Sequence, residues 1–282
     1  MVLKDFAPAL ALREWVQLYR IVHLEFGVGD LVPFKAYPPR PEQCLAFYPY
    51  DTETVQYSEG GRTEKNLPVV VYGQFTQVTQ RHIGRRFLVF QVIFQPGALY
   101  RLTGIPATAL QNQYLDAAMV FGPGLDQMNE QLFHCADYAA MVAVADGFLP
   151  QLVRKVQKPA SPLDLFMSQW LYQPDAISLD QMAKQLFMGT KTIERKSYER
   201  TGVSPKQFLQ IIRFDQAFRL RNAHPEMDWL RIAIETGFYD YQHLSKVYQQ
   251  FTGMRPVAFH ALEEKAPERK FGLSENYYQS AM

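Results

Sequence analysis

Arginine and glutamine side chains can each form two coplanar hydrogen bonds to a base, the guanidinium to O6 and N7 of guanine and the carboxamide to N6 and N7 of adenine. In this 282-residue chain arginine stands on one, and glutamine on the other, of two polar segments about fifty residues apart. The first, residues 190–200, presents Lys191, Thr192, Glu194, Arg195 and Lys196 once Ile193 is turned to a core. The second, residues 240–251, presents Tyr241, Gln242, His243, Ser245 and Lys246, with Leu244, Val247, Tyr248 and Phe251 turned inward. Arg195 suits guanine, Gln242 adenine, Glu194 the N4 amine of cytosine, and Lys246 either guanine or a phosphate. Ser178 and Ser204 head helices whose free amides can meet phosphates. Lys206, Arg213 and Arg255 add charge that is blind to base sequence.

Such side chains need elements that hold them outward and in step. Beyond Ser178 the chain repeats itself at a period that marks duplicated supersecondary units. Ala183 corresponds to Ala233, Ile193 to Leu244, and Thr201-Gly202-Val203-Ser204-Pro205 to Thr252-Gly253-Met254-Arg255-Pro256. Each copy has a first helix with a small interior residue, a short glycine-containing turn and a polar second helix, which are the parts of a helix-turn-helix. In the first copy Leu179, Met182, Ala183 and Leu186 form the expected inner face, with residues 187–189 as the turn. In the second, Leu230, Ala233 and Ile234 are the expected inner face before Gly237. Ser178-Leu179-Asp180-Gln181 is a capping box, in which serine and glutamine each satisfy an orphan backbone amide. Ser204-Pro205 starts another helix, running to Asn222. At ~1.5 Å per residue it is a rod of roughly 27 Å, which with its end turns approaches the ~34 Å of one DNA turn.

With these parts in place, residues 161–262 resemble the DNA-binding domain of the AraC/XylS family of transcription regulators. The residues that carry the resemblance are Ser178-Leu179 with Ala183, Thr192-Ile193-Glu194-Arg195, Thr201-Gly202-Val203-Ser204-Pro205, Ile232-Ala233 with Thr236-Gly237-Phe238, His243-Leu244, and Phe251-Thr252-Gly253-Met254-Arg255-Pro256. The family usually has phenylalanine four residues after the Ile193 position, whereas this chain has Ser197 followed by Tyr198. That core contact is therefore lost or passes to Tyr198. The front of the chain resembles the sensor-like domain of a subset of the family, through Tyr37-Pro38-Pro39-Arg40-Pro41, Phe94-Gln95-Pro96-Gly97-Ala98 and Leu102-Thr103-Gly104-Ile105-Pro106. The resemblance implies a β-rich, cupin-like or related fold there. It also implies double-stranded DNA as partner, a small-molecule effector of unknown identity, a homodimer, and RNA polymerase if the protein activates.

Composition fits this organisation. Hydrophobic residues make up 48% of the chain, enough for two apolar cores, and no run of about eighteen apolar residues or signal-peptide pattern occurs. A cytoplasmic protein is expected. Net charge is only +1, but residues 178–256 hold 12 Lys and Arg against 8 Asp and Glu, while residues 1–160 hold 14 of each. The positive excess thus falls where phosphates would be met.

Lys158-Pro159-Ala160-Ser161-Pro162 marks a boundary, with Ser161 as helix cap and Pro162 in the first turn. Before it, β-favouring runs such as 69–75 and 87–94 read as a sandwich or small barrel, and residues 125–157 as two helices. The expected fold is α+β: a β-rich domain at 1–120, a helical and dimerising connector at 121–160, an all-α double helix-turn-helix domain at 161–262, and a mobile tail at 263–282.

Cys44 and Cys135 form no C-x-x-C pair, and His23-x-Glu25 with His82 or His134 lacks the H-x-H pair expected of a cupin metal site. No catalytic signature is present, so neither catalytic residues, metal nor cofactor are expected. Tyr37, Phe47, Tyr48, Tyr50, Tyr72, Phe90, Phe94 and Tyr100 could line a ligand pocket or fill a core. Two further readings remain: a protein-interaction scaffold that has lost DNA binding, and a cupin-like metal enzyme with an attached DNA-binding domain.

Overall fold

A computed structural model describes residues 1–58 and 60–280. The strands are β1 (Val2–Phe6), β2 (Val16–Glu25), β3 (Lys35–Tyr37), β4 (Cys44–Phe47), β5 (Glu53–Tyr57), β6 (Thr63–Glu64), β7 (Val69–Tyr72), β8 (Thr79–Ile83), β9 (Arg86–Phe94) and β10 (Tyr114–Asp116). They form an antiparallel six-stranded sheet in the order β1-β2-β9-β4-β7-β10 and a four-stranded sheet in the order β3-β8-β5-β6. Strand β9 is almost continuously apolar because both of its faces are covered. Leu88, Phe90, Val92 and Phe94 point to one core and Phe87, Val89 and Ile93 to another, as the two-residue period of a strand requires. The second core lies between the two sheets.

The first core is completed by helices: α1 (Ala98–Thr103), α2 (Ala118–Phe121), α3 (Leu125–Phe133) and α4 (Tyr138–Val153). Leu99, Leu102, Leu125, Met128, Leu132, Met141, Ala145 and Leu149 pack there against the large sheet. The connector expected at 121–160 is therefore corrected. Its two helices exist, but their apolar faces cover the sheet and belong to the β-rich half. The aromatic residues are divided as well: Phe47, Phe90 and Phe94 are in the sheet–helix core, Tyr48 and Tyr72 lie between the sheets, and Tyr37 lines a cavity of about 80 Å³. Small-molecule pockets run to ~300–1,000 Å³, so that cavity is sized for a few waters.

The remaining helices are α5 (Pro162–Tyr172), α6 (Leu179–Gln185), α7 (Thr190–Thr201), α8 (Pro205–Ala223), α9 (Trp229–Glu235), α10 (Tyr241–Thr252), α11 (Pro256–Glu263) and α12 (Leu273–Ser280). Helix α8 serves two cores. Its first half puts Phe208 and Ile212 among Leu163, Met167, Trp170, Met182 and Ile193, while its second half puts Phe214, Ala217 and Phe218 among Ile232, Ala233, Leu244, Val247 and Tyr248. Among the described residues no helix is long and apolar enough to cross a membrane.

Residues 263–282, expected as a mobile tail, are corrected over their described part. After α11 a 3-10 turn at Pro267–Phe271 leads into α12, and Pro267, Glu268, Tyr277 and Tyr278 are buried. The sequence reading missed this because the apolar residues here are few and aromatic, too sparse to show a period. Their partners lie elsewhere: Phe271 and Leu273 pack on the core between the sheets, and Tyr277 and Tyr278 on the core of α8 and α10.

Charges tie the same region down. Arg20 donates to both oxygens of Glu42 (2.9 and 3.1 Å), to Asp5 (3.0 Å) and to the Tyr277 hydroxyl (3.0 Å). Lys35 binds Glu263 (2.8 Å) and Glu268, and Arg40 faces Asp215 at 3.6 Å and donates to the Tyr278 hydroxyl at 3.4 Å. Burial raises the Glu263 carboxyl, and the Lys35 ammonium opposes that shift.

Two measurements check this packing. Tyr278 is 1% exposed, so Tyr278→Ala lowers unfolding free energy in urea by about 3 kcal/mol, whereas Gln279→Ala on the exposed side stays within about 0.5 kcal/mol; equal, negligible effects would restore the mobile tail. The second concerns His260, whose Nε2 is 3.1 Å from the Tyr248 hydroxyl between the rings of Phe218 and Trp229. Burial, helped by Arg221 and Arg269, pulls its imidazole down from 6.5 to about 3. As pH falls through 6.5 the unfolded chain takes up this proton first, so stability present above 6.5 is lost on the way down. His260→Gln should flatten the fall in urea midpoint between pH 7 and pH 5, and an unchanged slope assigns the acid sensitivity to other groups.

Candidate nucleic-acid interface

The two repeats fold as matching units. In the first, the Ser178 hydroxyl accepts from the Gln181 amide (3.2 Å) and the Gln181 side chain accepts from the Ser178 amide (2.9 Å), closing the expected capping box at the start of α6. The turn that follows is closed by two backbone bonds, Phe187 N–H to Lys184 O at 3.2 Å and Met188 N–H to Ala183 O at 3.1 Å. The second unit repeats them as Gly237 N–H to Ile234 O at 3.2 Å and Phe238 N–H to Ala233 O at 2.9 Å. This pairs Phe187 with Gly237, and both take positive φ, +52° and +77°. Glycine adopts that conformation freely, whereas a phenylalanine held there costs about 1 kcal/mol. Phe187 is also 97% exposed.

Helix α7 buries Ile193 and turns Lys191, Glu194 and Arg195 to solvent, with Thr192 and Lys196 half-buried at the edge of that face. Arg195 is paired with Glu199 one turn on, at 2.5 Å, with the guanidinium side chain 64% exposed. An exposed pair of this spacing is worth only about 0.3–0.5 kcal/mol, against roughly 1–3 kcal/mol for a bidentate base contact, so it does not hold the arginine back. Helix α10 is capped by Asp240, whose side chain accepts from the His243 amide at 2.7 Å. Leu244, Val247, Tyr248 and Phe251 anchor it, Gln242, His243 and Lys246 are exposed, and Tyr241 and Ser245 flank them half-buried. The His243 ring rests edge-on against Phe238 at 5.2 Å.

The flanking cations differ in availability. Lys206 and Arg255 are exposed at the starts of α8 and α11. The Ser204 hydroxyl caps α8 through the Gln207 amide at 3.2 Å. Arg213 departs from the expectation of an outward phosphate ligand: it is tied to Asp175 at 2.5 Å, and a side chain at Gly237 would strike it. It braces the turn of the second unit against the loop before α6.

A second correction concerns α9. Leu230 and Ile234 are 55% and 56% exposed, and Ile232 and Ala233 are the buried pair. Seven residues hold too few turns to separate the two faces by period, and the Asp228 cap, which accepts from the Leu230 and Arg231 amides, was the available signal. At Ser197 the aromatic core contact is lost and does not pass to Tyr198. The serine is fully buried and its hydroxyl donates to Val203 O at 2.7 Å, while Tyr198 is 42% exposed.

Elsewhere, His23 sits between the Tyr138 hydroxyl (2.9 Å) and Glu25 (3.2 Å), and His82 against Phe34. Among the described residues no group of three His, Cys, Asp or Glu side chains could hold a metal ion.

Comparison with known proteins covers the chain in two parts. Residues 182–261 match the model of a helix-turn-helix domain, and residues 4–116 match a domain of unknown function, DUF6597. A stretch of 101 residues is 30% identical to the HTH-type transcriptional activator RhaS of Escherichia coli O139:H28 (strain E24377A / ETEC), covering 35% of this chain and 36% of that protein. RhaS of Escherichia coli strain SE11 is 29% identical over the same length. The chain thus matches about a third of the length of these curated relatives. Among solved structures, an apo form of ToxT from Vibrio cholerae strain SCE256 aligns with 87% of this chain and 97% of its own at a TM-score of 0.49 and 12% identity, a likeness too distant to bear on function. The architecture is α+β, a β-rich N-terminal region joined to a helical region of two helix-turn-helix units, and that helical region is similar to the helix-turn-helix domain of AraC-type regulators.

Proposed function

We propose that the chain is a sequence-specific DNA-binding transcription regulator of AraC/XylS type, which sets α7 and α10 into successive major grooves of one duplex. The observation that carries this is the repeated mounting: two helices with outward polar faces at opposite ends of α8, a 19-residue rod of roughly 28 Å beside a groove repeat of ~34 Å. Arg195 reads guanine and Glu194 cytosine from α7, with Lys191, Thr192 and Lys196 around them. Gln242 reads adenine from α10, Lys246 takes guanine or a phosphate, and Tyr241, His243 and Ser245 complete that face. Lys206 and Arg255, beside the helix starts at Ser178 and Ser204, hold the backbone without reading it.

In this reading the protein is a cytoplasmic regulator rather than an enzyme. Some relatives are activators by name, so RNA polymerase is the further partner if this chain activates. A cleft of about 950 Å³ between the two halves, lined by Asp5, Arg20, Glu42, Asp175, Asp215 and Arg219, has the volume for a polar effector. An effector acts there by binding one arrangement of the halves better than another.

Selection from a random duplex library tests the reading. The recovered motif should contain two short boxes about one helical turn apart. Arg195→Ala and Gln242→Ala should each cost roughly 1–3 kcal/mol and relax one position, while Lys206→Ala weakens all sequences alike and lowers the salt slope by about one. Absence of selection, or binding indifferent to salt, would leave the helical part as a protein scaffold.

A further inference from the structure

The two recognition helices are anchored by different means. Aligning Ile193 with Leu244 sets Lys196, Ser197 and Arg200 opposite Val247, Tyr248 and Phe251. The latter three are fully buried, and Phe214 meets Tyr248 at 4.7 Å and Phe251 at 5.3 Å. Helix α7 has one buried apolar side chain, Ile193. Its own unit gives it little apolar grip.

What holds its C-terminal end comes from outside the unit. Arg200, 5% exposed, donates to Asp164 of α5 at 3.1 Å and lies over the Tyr100 ring of α1, 5.2 Å from its centre. Gly202, at φ +84°, closes the helix so tightly against the β-rich half that a Cβ would be 3.0 Å from Ala107 O. The Asp164 carboxylate is seated against Gly97, where a Cβ would come within 2.4 Å of it. Gly97 and Tyr100 lie in and beside the segment Phe94-Gln95-Pro96-Gly97-Ala98, and Ala107 follows Leu102-Thr103-Gly104-Ile105-Pro106. Gly104 itself faces Gln157, whose amide donates to Arg101 O at 2.8 Å. Two of the three motifs that marked the front of the chain therefore lie in or beside the face on which the first helix-turn-helix unit docks.

We propose that Arg200, held by Asp164 and Tyr100, is the positioning residue of the first recognition helix, so that a polar seam with the β-rich half sets the pose of α7, whereas α10, which also accepts a bond from the Val78 amide at its Phe251 carbonyl (2.8 Å), is set by its aromatic core. The assignment rests on the DNA-reading role of α7. A buried guanidinium whose partners lie on two other elements has one low-energy place to be, since losing either partner leaves a charge or its hydrogen bonds unsatisfied. That restraint replaces the aromatic packing that the second unit has.

The test uses the full chain and three duplexes: the selected two-box site, and the same site with either box scrambled. The box read by α7 is the one in which Arg195→Ala relaxes a position. Arg200→Gln and Tyr100→Ala should weaken binding to the two-box duplex, Arg200→Gln by roughly tenfold, the worth of one bidentate base contact. On the duplex that keeps only the α10 box, both variants should bind as wild type does. Arg200→Lys, which keeps the charge toward Asp164, should recover part of the loss. Tyr100 touches neither DNA nor the core of the unit, so Tyr100→Ala keeps the test open if Arg200→Gln does not fold. Equal losses on both boxes, or full affinity of a folded Tyr100→Ala for the α7 box, would overturn the assignment. Wild-type protein that selects no duplex overturns the DNA reading itself, and this assignment with it.

Discussion

Both reading units share a single backbone rod, and everything else in the helical region is arranged by how α8 divides its side chains. Phe208 and Ile212 close one core, and Phe214, Ala217 and Phe218 the other. Because an α-helix turns by a fixed angle per residue, the two cores are locked in both distance and rotation. A change in the tilt of one unit must then be taken up by its recognition helix or by what stands behind it. The second unit has a dense aromatic core against such a change. The first has a polar seam, and that seam faces the β-rich half.

Beside the apolar contacts of Ala36, Phe34 and Val78 with the helical core, the interface between the halves carries charge that balances locally. Lys35 faces Glu263 and Glu268, and Arg40 faces Asp215, across the interface, while within the β-rich half beside it Arg20 pairs with Asp5 and Glu42 and Arg81 with Glu53. A buried pair contributes little net stability, but removing one partner typically costs about 3–5 kcal/mol. Such a seam selects one register of the two halves more than it adds to their affinity. It also argues against reading the cationic cavity wall as an anion site, since each of these cations already has its counter-charge. Space of ligand size lies in clefts between the halves, one of about 950 Å³ and one of about 640 Å³.

Much of the helical region was legible because local rules and global fold agree there. Ser178 and Ser204 are caps in sequence and in structure, the long helix runs Pro205–Ala223 against an expected end at Asn222, and the duplicated turn reappears as the same pair of backbone bonds. Where local signals were weak, the reading slipped. Helix α9 has seven residues, and two apolar faces one residue apart fit it equally well. Arg213 looks like any exposed cation on a helix until Asp175, 38 residues away, is seen beside it.

From sequence alone follow the existence of two helix-turn-helix units, the polar faces of α7 and α10, and the β-rich character of the front of the chain, because each depends on periods of two or 3.6 residues and on caps within a few positions. Only the tertiary structure decides that residues 121–160 cover a sheet, that the described residues after Glu263 fold back onto both halves, and that Arg200 rather than an apolar side chain holds the end of α7. Those outcomes depend on contacts between residues tens to hundreds of positions apart, such as Arg20 with Tyr277 and Asp164 with Gly97. No local period encodes them: the side chains involved are single arginines, glycines and tyrosines, whose local preferences are compatible with many partners.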